Sequence, residues 1–266
     1  MLAITGLGKA FGGRRVLDGL DLHVAPGESV ALLGANGSGK TTTLRCVVGL
    51  AHPDRGRIEI AGIDARRNAI AARRRLSYLP QKSEFPATLS VRETLGVVAT
   101  LRGLSPGPVH RELERCGLTT LADRPVGHLS GGERQRLAMA VAFLPAVDLY
   151  LFDEPSANLD PVASRILFHR ARELRREGRT VVFTTHVPGD IRHLASRVVL
   201  LRHGRIESEA SGQFELRRCE RMLERDVWGD DDDQVAMDDS GSNGVGSDSR
   251  LRGAGALAGT GTFGSR

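Results

Sequence analysis

Cysteine is scarce in this chain. Cys46, Cys116 and Cys219 are the only three in 266 residues, odd in number and far apart. That usage excludes a disulfide framework and a cysteine metal cluster, and it fits a reducing compartment. Aromatic residues make up only 4%, and Lys9, Lys40 and Lys82 are the only lysines among 37 basic residues. Apolar runs are short: none approaches the ~18 uninterrupted residues of a membrane span. The nearest, Leu137 to Phe152, is broken by Pro145 and Asp148. The N-terminus, MLAITGLGKAFGG, lacks the charged start, apolar segment and small-residue cleavage site of a secretion signal. The expectation is a soluble, unexported protein. No internal repeat is present.

What is there suits a folded enzyme-sized domain. At 40% hydrophobic, 266 residues suffice for one generous domain or two small ones. The net charge of +5 is unevenly spread: from Asp226 onward eight Asp face three Arg, a net −5, which leaves +10 on the first 225 residues. A basic body fits nucleic acid, an anionic membrane surface, or arginines scattered over helix faces. The arginines are not interleaved with aromatics, which favours scattering. Beyond about Trp228 the sequence becomes GDDDDQVAMDDSGSNGVGSDSR and then Gly-, Ala- and Ser-rich. Such a segment has little to bury, so 226–266 is expected to be a disordered acidic tail.

Strand and helix signals alternate across the rest, the pattern of an α/β domain with a largely parallel sheet. Buried strands are predicted at SVALL (29–33), DLYLFD (148–153), TVVFTT (180–185) and RVVLL (197–201). A Gly-rich turn and a helix bearing Leu44, Val47 and Val48 follow the first. Asp160 and Pro161 begin another helix, with Ala163, Ile166, Leu167, Ala171 and Leu174 on one face and Gly178 at its end. The first 30 residues and Arg57–Ile60 suggest a small antiparallel sheet. Residues 82–144 read as helices separated by loops such as Ser105–Pro108.

Three segments carry chemistry. Gly34-Ala35-Asn36-Gly37-Ser38-Gly39-Lys40-Thr41 fits G-x-x-x-x-G-K-[ST] between a strand and a helix. Glycines let the backbone wrap phosphates, amides and the helix N-terminus supply positive potential, Lys40 reaches the outer phosphates, and the Thr41 hydroxyl suits Mg²⁺. The bare pattern would arise by chance with a probability on the order of one per cent. In Leu149-Tyr150-Leu151-Phe152-Asp153-Glu154, a buried strand ends in adjacent carboxylates, which is costly unless they serve a cation or a reaction. At the carboxyl end of a parallel strand they would face the phosphate loop. Asp153 would hold Mg²⁺ and Glu154 would polarise the attacking water. In Leu129-Ser130-Gly131-Gly132-Glu133-Arg134-Gln135-Arg136, Ser130 and Glu133 form a capping box. Leu137, Ala140, Val141 and Leu144 form that helix's apolar side. Its glycines expose amides as a second anion site, which one nucleotide needs only if a second chain closes over it.

In this order and spacing, the three segments resemble the nucleotide-binding subunit of an ABC (ATP-binding cassette) transporter, over roughly residues 1–210. The resemblance implies a P-loop NTPase with a RecA-like core, a small N-terminal antiparallel β subdomain and an inserted α-helical subdomain at about 82–145. The ABC domain would be 1–225. It makes Phe11 the aromatic that stacks on adenine, and Gln81, in YLPQ, the glutamine that senses Mg²⁺ and the γ-phosphate. Ser156-Ala157-Asn158-Leu159-Asp160 becomes the loop linking two sites across a dimer, and His186 the switch histidine at the γ-phosphate. Thr42 joins residues 34–41 in the phosphate loop, and Thr41, Gln81 and Asp153 share the Mg²⁺. Ser130, Gly131 and Gly132 of a second chain complete the cage. Val187-Pro188-Gly189 departs from common family usage.

The implied function is ATP hydrolysis driving a separate membrane permease from the cytoplasmic face of the plasma membrane, with a second ABC ATPase chain and no nucleic acid. The local segments RRRLSYLPQ and ATLSVRETL resemble separate-chain exporter ATPases more than metal-chelate importers. The rival from another class is a soluble ABC ATPase acting on DNA or ribosomes. DNA-organising members insert long coiled coils between P-loop and signature, whereas 88 residues separate Thr41 from Ser130 here. Ribosome-acting members usually carry two cassettes, and this sequence has one.

Overall fold

A computed structural model describes residues 1–157, 159–212 and 215–219. The chain opens with strands β1 (Leu2–Phe11), β2 (Arg14–Val24) and β3 (Ser29–Leu33), then helix α1 (Lys40–Val48). Strands β4 (Arg55–Ile60) and β5 (Ile63–Asp64), helix α2 (Ala69–Arg74) and strand β6 (Leu76–Leu79) follow. Three helices come next, α3 (Val91–Arg102), α4 (Gly107–Arg115) and α5 (Gly131–Phe143), with two short 3₁₀ turns before the last. Strand β7 (Leu149–Asp153), helix α6 (Pro161–Arg176), strand β8 (Thr180–Thr184), helix α7 (Pro188–Leu194) and strands β9 (Arg197–Arg202) and β10 (Arg205–Ser211) complete it.

Two sheets result. β2-β1-β4-β5 is antiparallel, while β10-β9-β3-β8-β7-β6 is parallel except for its antiparallel edge β10. The central strands are apolar at their interior positions because both faces are covered, and their polar residues, Ser29, Asp153, Thr180 and Thr184, stand at strand ends. Their side chains alternate between two cores. Val30, Leu32, Leu149, Leu151, Val182 and Val199 enter the core shared with the antiparallel sheet and α1. Ala31, Leu33, Tyr150, Phe152, Phe183 and Val198 enter the core shared with α3, α4, α5 and α6.

All four strands expected in the parallel sheet are present, with ends moved by at most one residue. The helix at 161–176 has the expected cap: Asp160 accepts hydrogen bonds from the amides of Val162 and Ala163. Residues 82–144 are helical as expected, but the Ser105–Pro108 loop is shorter than anticipated. α4 already begins at Gly107, because Pro108 falls in the first turn, where a missing N–H costs nothing. Three strands escaped the sequence, and β5, only two residues long, is too short to carry a periodic signal. β6 is short and carries Ser77, whose hydroxyl is buried and donates to the Ala142 carbonyl at 2.6 Å. β10 is a polar edge, RIESEAS, with no apolar run to mark it. α5 is also more enclosed than its expected apolar side implies: Ala138, Met139, Ala142 and Phe143 are buried along with Leu137 and Ala140. The acidic tail at 226–266 and Asn158 lie outside the described residues.

One buried ion pair ties the helical insertion to the sheet layer. Arg170 of α6 donates from Nη2 to Glu112 Oε1 of α4 at 2.9 Å, and both side chains are 6% exposed. Arg170 also bonds Glu173 and sits 5.1 Å from the Phe143 ring centre. Burial raises the Glu112 pKa, while Arg170 and Arg115 oppose the shift. Truncating one partner of a buried pair strands the other charge. Glu112→Ala should therefore lower the unfolding free energy by about 3 kcal/mol, the low end for such pairs because Glu173 remains. The double variant Glu112→Leu/Arg170→Met should recover most of that loss in urea denaturation.

Candidate nucleotide site

The phosphate loop runs from the end of β3 into α1. Gly34 and Gly39 have φ of 146° and 109°, which L side chains rarely adopt. A Cβ on Gly34 would collide with the Leu201 carbonyl, and one on Gly39 with the Leu17 side chain at 2.6 Å. Lys40, the first residue of α1, is buried, and its Nζ donates to the carbonyls of Gly34 at 2.6 Å and Ala35 at 3.2 Å. Burial lowers its pKa, while the charges of Glu154 and Asp153 act in the opposite direction. Ser38 Oγ is buried without a hydrogen-bond partner, an orphan donor in a loop of amides that a phosphate oxygen would satisfy.

Asp153 closes β7 and is almost wholly buried. Its Oδ1 accepts from Thr41 Oγ1 at 3.0 Å and from Thr184 Oγ1 at 2.7 Å, and its Oδ2 from the Tyr78 hydroxyl at 3.3 Å. Burial, followed by the Asp153 charge, pushes the Tyr78 pKa upward, which keeps the phenol a donor. Glu154 takes a left-handed φ of 50°, uncommon for a residue with a side chain. Its amide donates to Thr184 Oγ1 at 2.9 Å. Its carboxylate accepts from Gln81 Nε2 at 2.6 Å through Oε2, and His186 Nδ1 stands 3.5 Å from Oε1.

Most of these parts meet in one cleft of about 950 Å³, lined by Gly34, Ala35, Asn36, Gly37, Gly39, Lys40, Thr41, Thr42, Gln81, Glu154 and His186, while Ser38 and Asp153 are buried and not part of the lining. Val16, Val198 and Leu200 form an apolar wall. Phe11 is not part of that lining: it projects from the β1–β2 hairpin, 53% exposed, with Lys9 Nζ 5.1 Å from its ring centre. The segment Ser130-Gly131-Gly132 also lies outside the cleft. Ser130 caps α5 by accepting from the Glu133 amide, and Glu133 returns a bond to the Ser130 amide. Gly131 lines a second cleft of about 340 Å³ with Gln81, Arg134, Gln135 and Glu154. Gly132 lies so close to the Asp160 carboxylate that a Cβ there would collide with it.

The donor set near the phosphate loop suits Mg²⁺. It offers one carboxylate, one hydroxyl and one amide, all oxygen ligands, and Mg²⁺ in such sites takes few protein ligands and fills its shell with phosphates and water. Among the described residues, no cluster of three or more His, Cys, Asp or Glu could hold a softer metal.

Sequence reasoning missed Tyr78, Thr184, Thr185 and Asp190. Tyr78 lies inside YLPQ and both threonines end TVVFTT, so their positions were visible without their partners. The Val187-Pro188-Gly189 departure has a local explanation: Pro188 occupies the first turn of α7, where its fixed φ is suited to helix initiation.

The ABC transporter family's sequence model matches residues 17–157. A Nod factor export ATP-binding protein I of Paraburkholderia xenovorans (strain LB400) is 39% identical over 207 residues, spanning 76% of this chain and 68% of its own. The protein of the same name from Rhizobium sp. (strain N33) is 36% identical over 212 residues, spanning 78% and 70%. Among solved structures, the ATP-binding subunit of an ABC transporter aligns at TM-score 0.76 and 28% identity, over 86% of this chain and 99% of that one. A dimeric ATP-binding cassette in a post-hydrolysis state with ADP and Pi shares the fold at TM-score 0.73 and 24% identity, over 79% and 98%. With its phosphate loop, paired carboxylates and capped Ser-Gly-Gly helix in one α/β frame, this chain belongs to the ABC transporter family as an ATP-binding, ATP-hydrolysing subunit.

Proposed function

We propose that this subunit powers export through a separate membrane permease, working as a dimer at the cytoplasmic face of the membrane. The observation that carries this reading is the convergence of Lys40, Gln81, Glu154 and His186 on one cleft while Ser130 and Gly132 remain outside it. A second chain is the natural source of the missing anion donors: its Ser130, Gly131 and Gly132 would cover a nucleotide held on the phosphate loop. Export is favoured by the names of the relatives, which are export ATP-binding proteins. Among the described residues no helix is long and apolar enough to cross a membrane, and in this reading a separate permease supplies the spans. The unit proposed to act is 1–225, with the helical part at about 82–145 meeting the permease.

In this reading Lys40 leaves the carbonyls of Gly34 and Ala35 for the outer phosphates, and the loop amides bind the remaining phosphate oxygens. Phe11, exposed at its hairpin tip, stacks on the adenine. Thr41, Gln81 and Asp153 are the residues that would hold Mg²⁺, which when bound supplies charge that neutralises the outer phosphates. Glu154 accepts the proton of the attacking water, held in place by Gln81 on one oxygen and His186 beside the other. His186 orients the γ-phosphate against that water.

Three outcomes test this reading. Lys40→Ala should weaken MgATP binding about a hundredfold in calorimetric titration, because it removes the charge-assisted bonds to the outer phosphates. Retained affinity would reject the phosphate-loop assignment. Glu154→Gln keeps the side-chain shape but accepts no proton, so hydrolysis should fall ~10²–10⁴-fold while ATP binds and holds a dimer visible by gel filtration. Near-normal phosphate release would place the base elsewhere. Finally, mixing Ser130→Arg with Lys40→Ala chains should restore about one competent site per heterodimer, since both defects then fall in the same site and the other site is intact. A mixture as inactive as either variant alone would count against sites shared in trans.

A further inference from the structure

Asp190 lies in the first turn of α7 with no solvent exposure. Its Oδ2 accepts two short hydrogen bonds, from Ser156 Oγ and from Thr185 Oγ1, each at 2.6 Å. Its Oδ1 is buried without a partner. A carboxylate half-satisfied in the interior weakens a fold. Burial accordingly pushes the Asp190 pKa up, against the two hydroxyls and the nearby imidazoles of His186 and His193.

The two partners indicate what this group does. Ser156 is two residues beyond Glu154, and Thr185 immediately precedes His186. Thr185 is itself held, since its Oγ1 accepts from the Val187 amide at 2.9 Å. One carboxylate oxygen therefore joins the turn that leaves Glu154 to the strand end that carries His186. Glu154 needs such support because its φ of 50° is strained. Thr184 anchors its amide on one side, and Asp190, through Ser156, anchors the chain on the other.

We propose that Asp190 is a positioning residue for hydrolysis. It locks Glu154 and His186 into one arrangement by joining Ser156 to Thr185. The inference rests on the reading above, in which those two residues act on one γ-phosphate. Asp190 does not line the cleft, so its loss should slow turnover and spare binding.

Steady-state ATP hydrolysis by Asp190→Asn, Ser156→Ala and the double variant tests this, with Thr185→Val as a further probe should Asp190→Asn fail to fold. Each single variant should lower kcat about tenfold to a hundredfold, with KM for ATP changed less than about twofold. The double variant should be no slower than the slower single, because both remove one linkage. Additive losses, or kcat and KM deteriorating together with Tm, would mark a purely structural residue and overturn the proposal. If Glu154→Gln abolishes hydrolysis while Asp190→Asn and Ser156→Ala turn over normally, this inference alone fails. Near-normal hydrolysis by Glu154→Gln removes the underlying reading, and this inference with it.

Discussion

Five parallel strands covered on both faces leave polar side chains little place except the strand ends. β6, β7, β8, β3 and β9 present apolar residues to two cores at once, so a carboxylate or hydroxyl within them needs a buried partner, as Ser77 has in the Ala142 carbonyl. The chemistry of this protein accordingly gathers where the strands stop. Gly34 follows β3, Asp153 ends β7, Glu154 follows it, Thr184 ends β8 and Gln81 lies just past β6. Parallel pairing puts all of these ends on the same edge of the sheet, and the phosphate loop lies across that edge.

At that edge most of the polar groups satisfy one another, Ser38 Oγ being an exception. Thr41, Thr184 and Tyr78 donate to Asp153, Gln81 donates to Glu154, and loop carbonyls hold the Lys40 ammonium. A preformed network of this kind avoids the cost of bare buried charges and keeps the site near its working geometry. In the proposed reading, nucleotide binding exchanges these partners instead of building a site from disorder. The strained Glu154 backbone is a further exception, and the bonds from Thr184 and toward Asp190 surround it.

Much of this was legible in the sequence because the signals are local. A β-strand buried on two faces is a mostly apolar run, so the strands were legible at 29–33, 148–153, 180–185 and 197–201, each within one residue of its ends in the structure. Capping is equally local: Ser130 with Glu133, and Asp160 with Pro161, mark helix starts from four residues or fewer. β6 and β10 were invisible for the converse reason. Ser77 is tolerated in β6 only because the Ala142 carbonyl, 65 residues away, accepts its hydroxyl, and β10 is an edge whose polar residues face water.

The sequence by itself determined the parts list: a glycine loop with its lysine and threonine, two carboxylates after a strand, a capped Ser-Gly-Gly helix, a glutamine and a histidine in family order. Backbone propensity, periodicity and motif spacing act over a few residues, which is why such parts can be read in one dimension. Only the tertiary structure decided their partnerships. It placed Gln81 against Glu154 across 73 residues and Thr41 against Asp153 across 112. It kept Phe11 off the cleft wall and the Ser130 helix outside it, and it joined Ser156 to Thr185 through Asp190. A buried hydroxyl or carboxylate has to find a partner wherever the packed layers bring one within 3 Å or so, and strand order and layer packing, not sequence distance, decide which group that is.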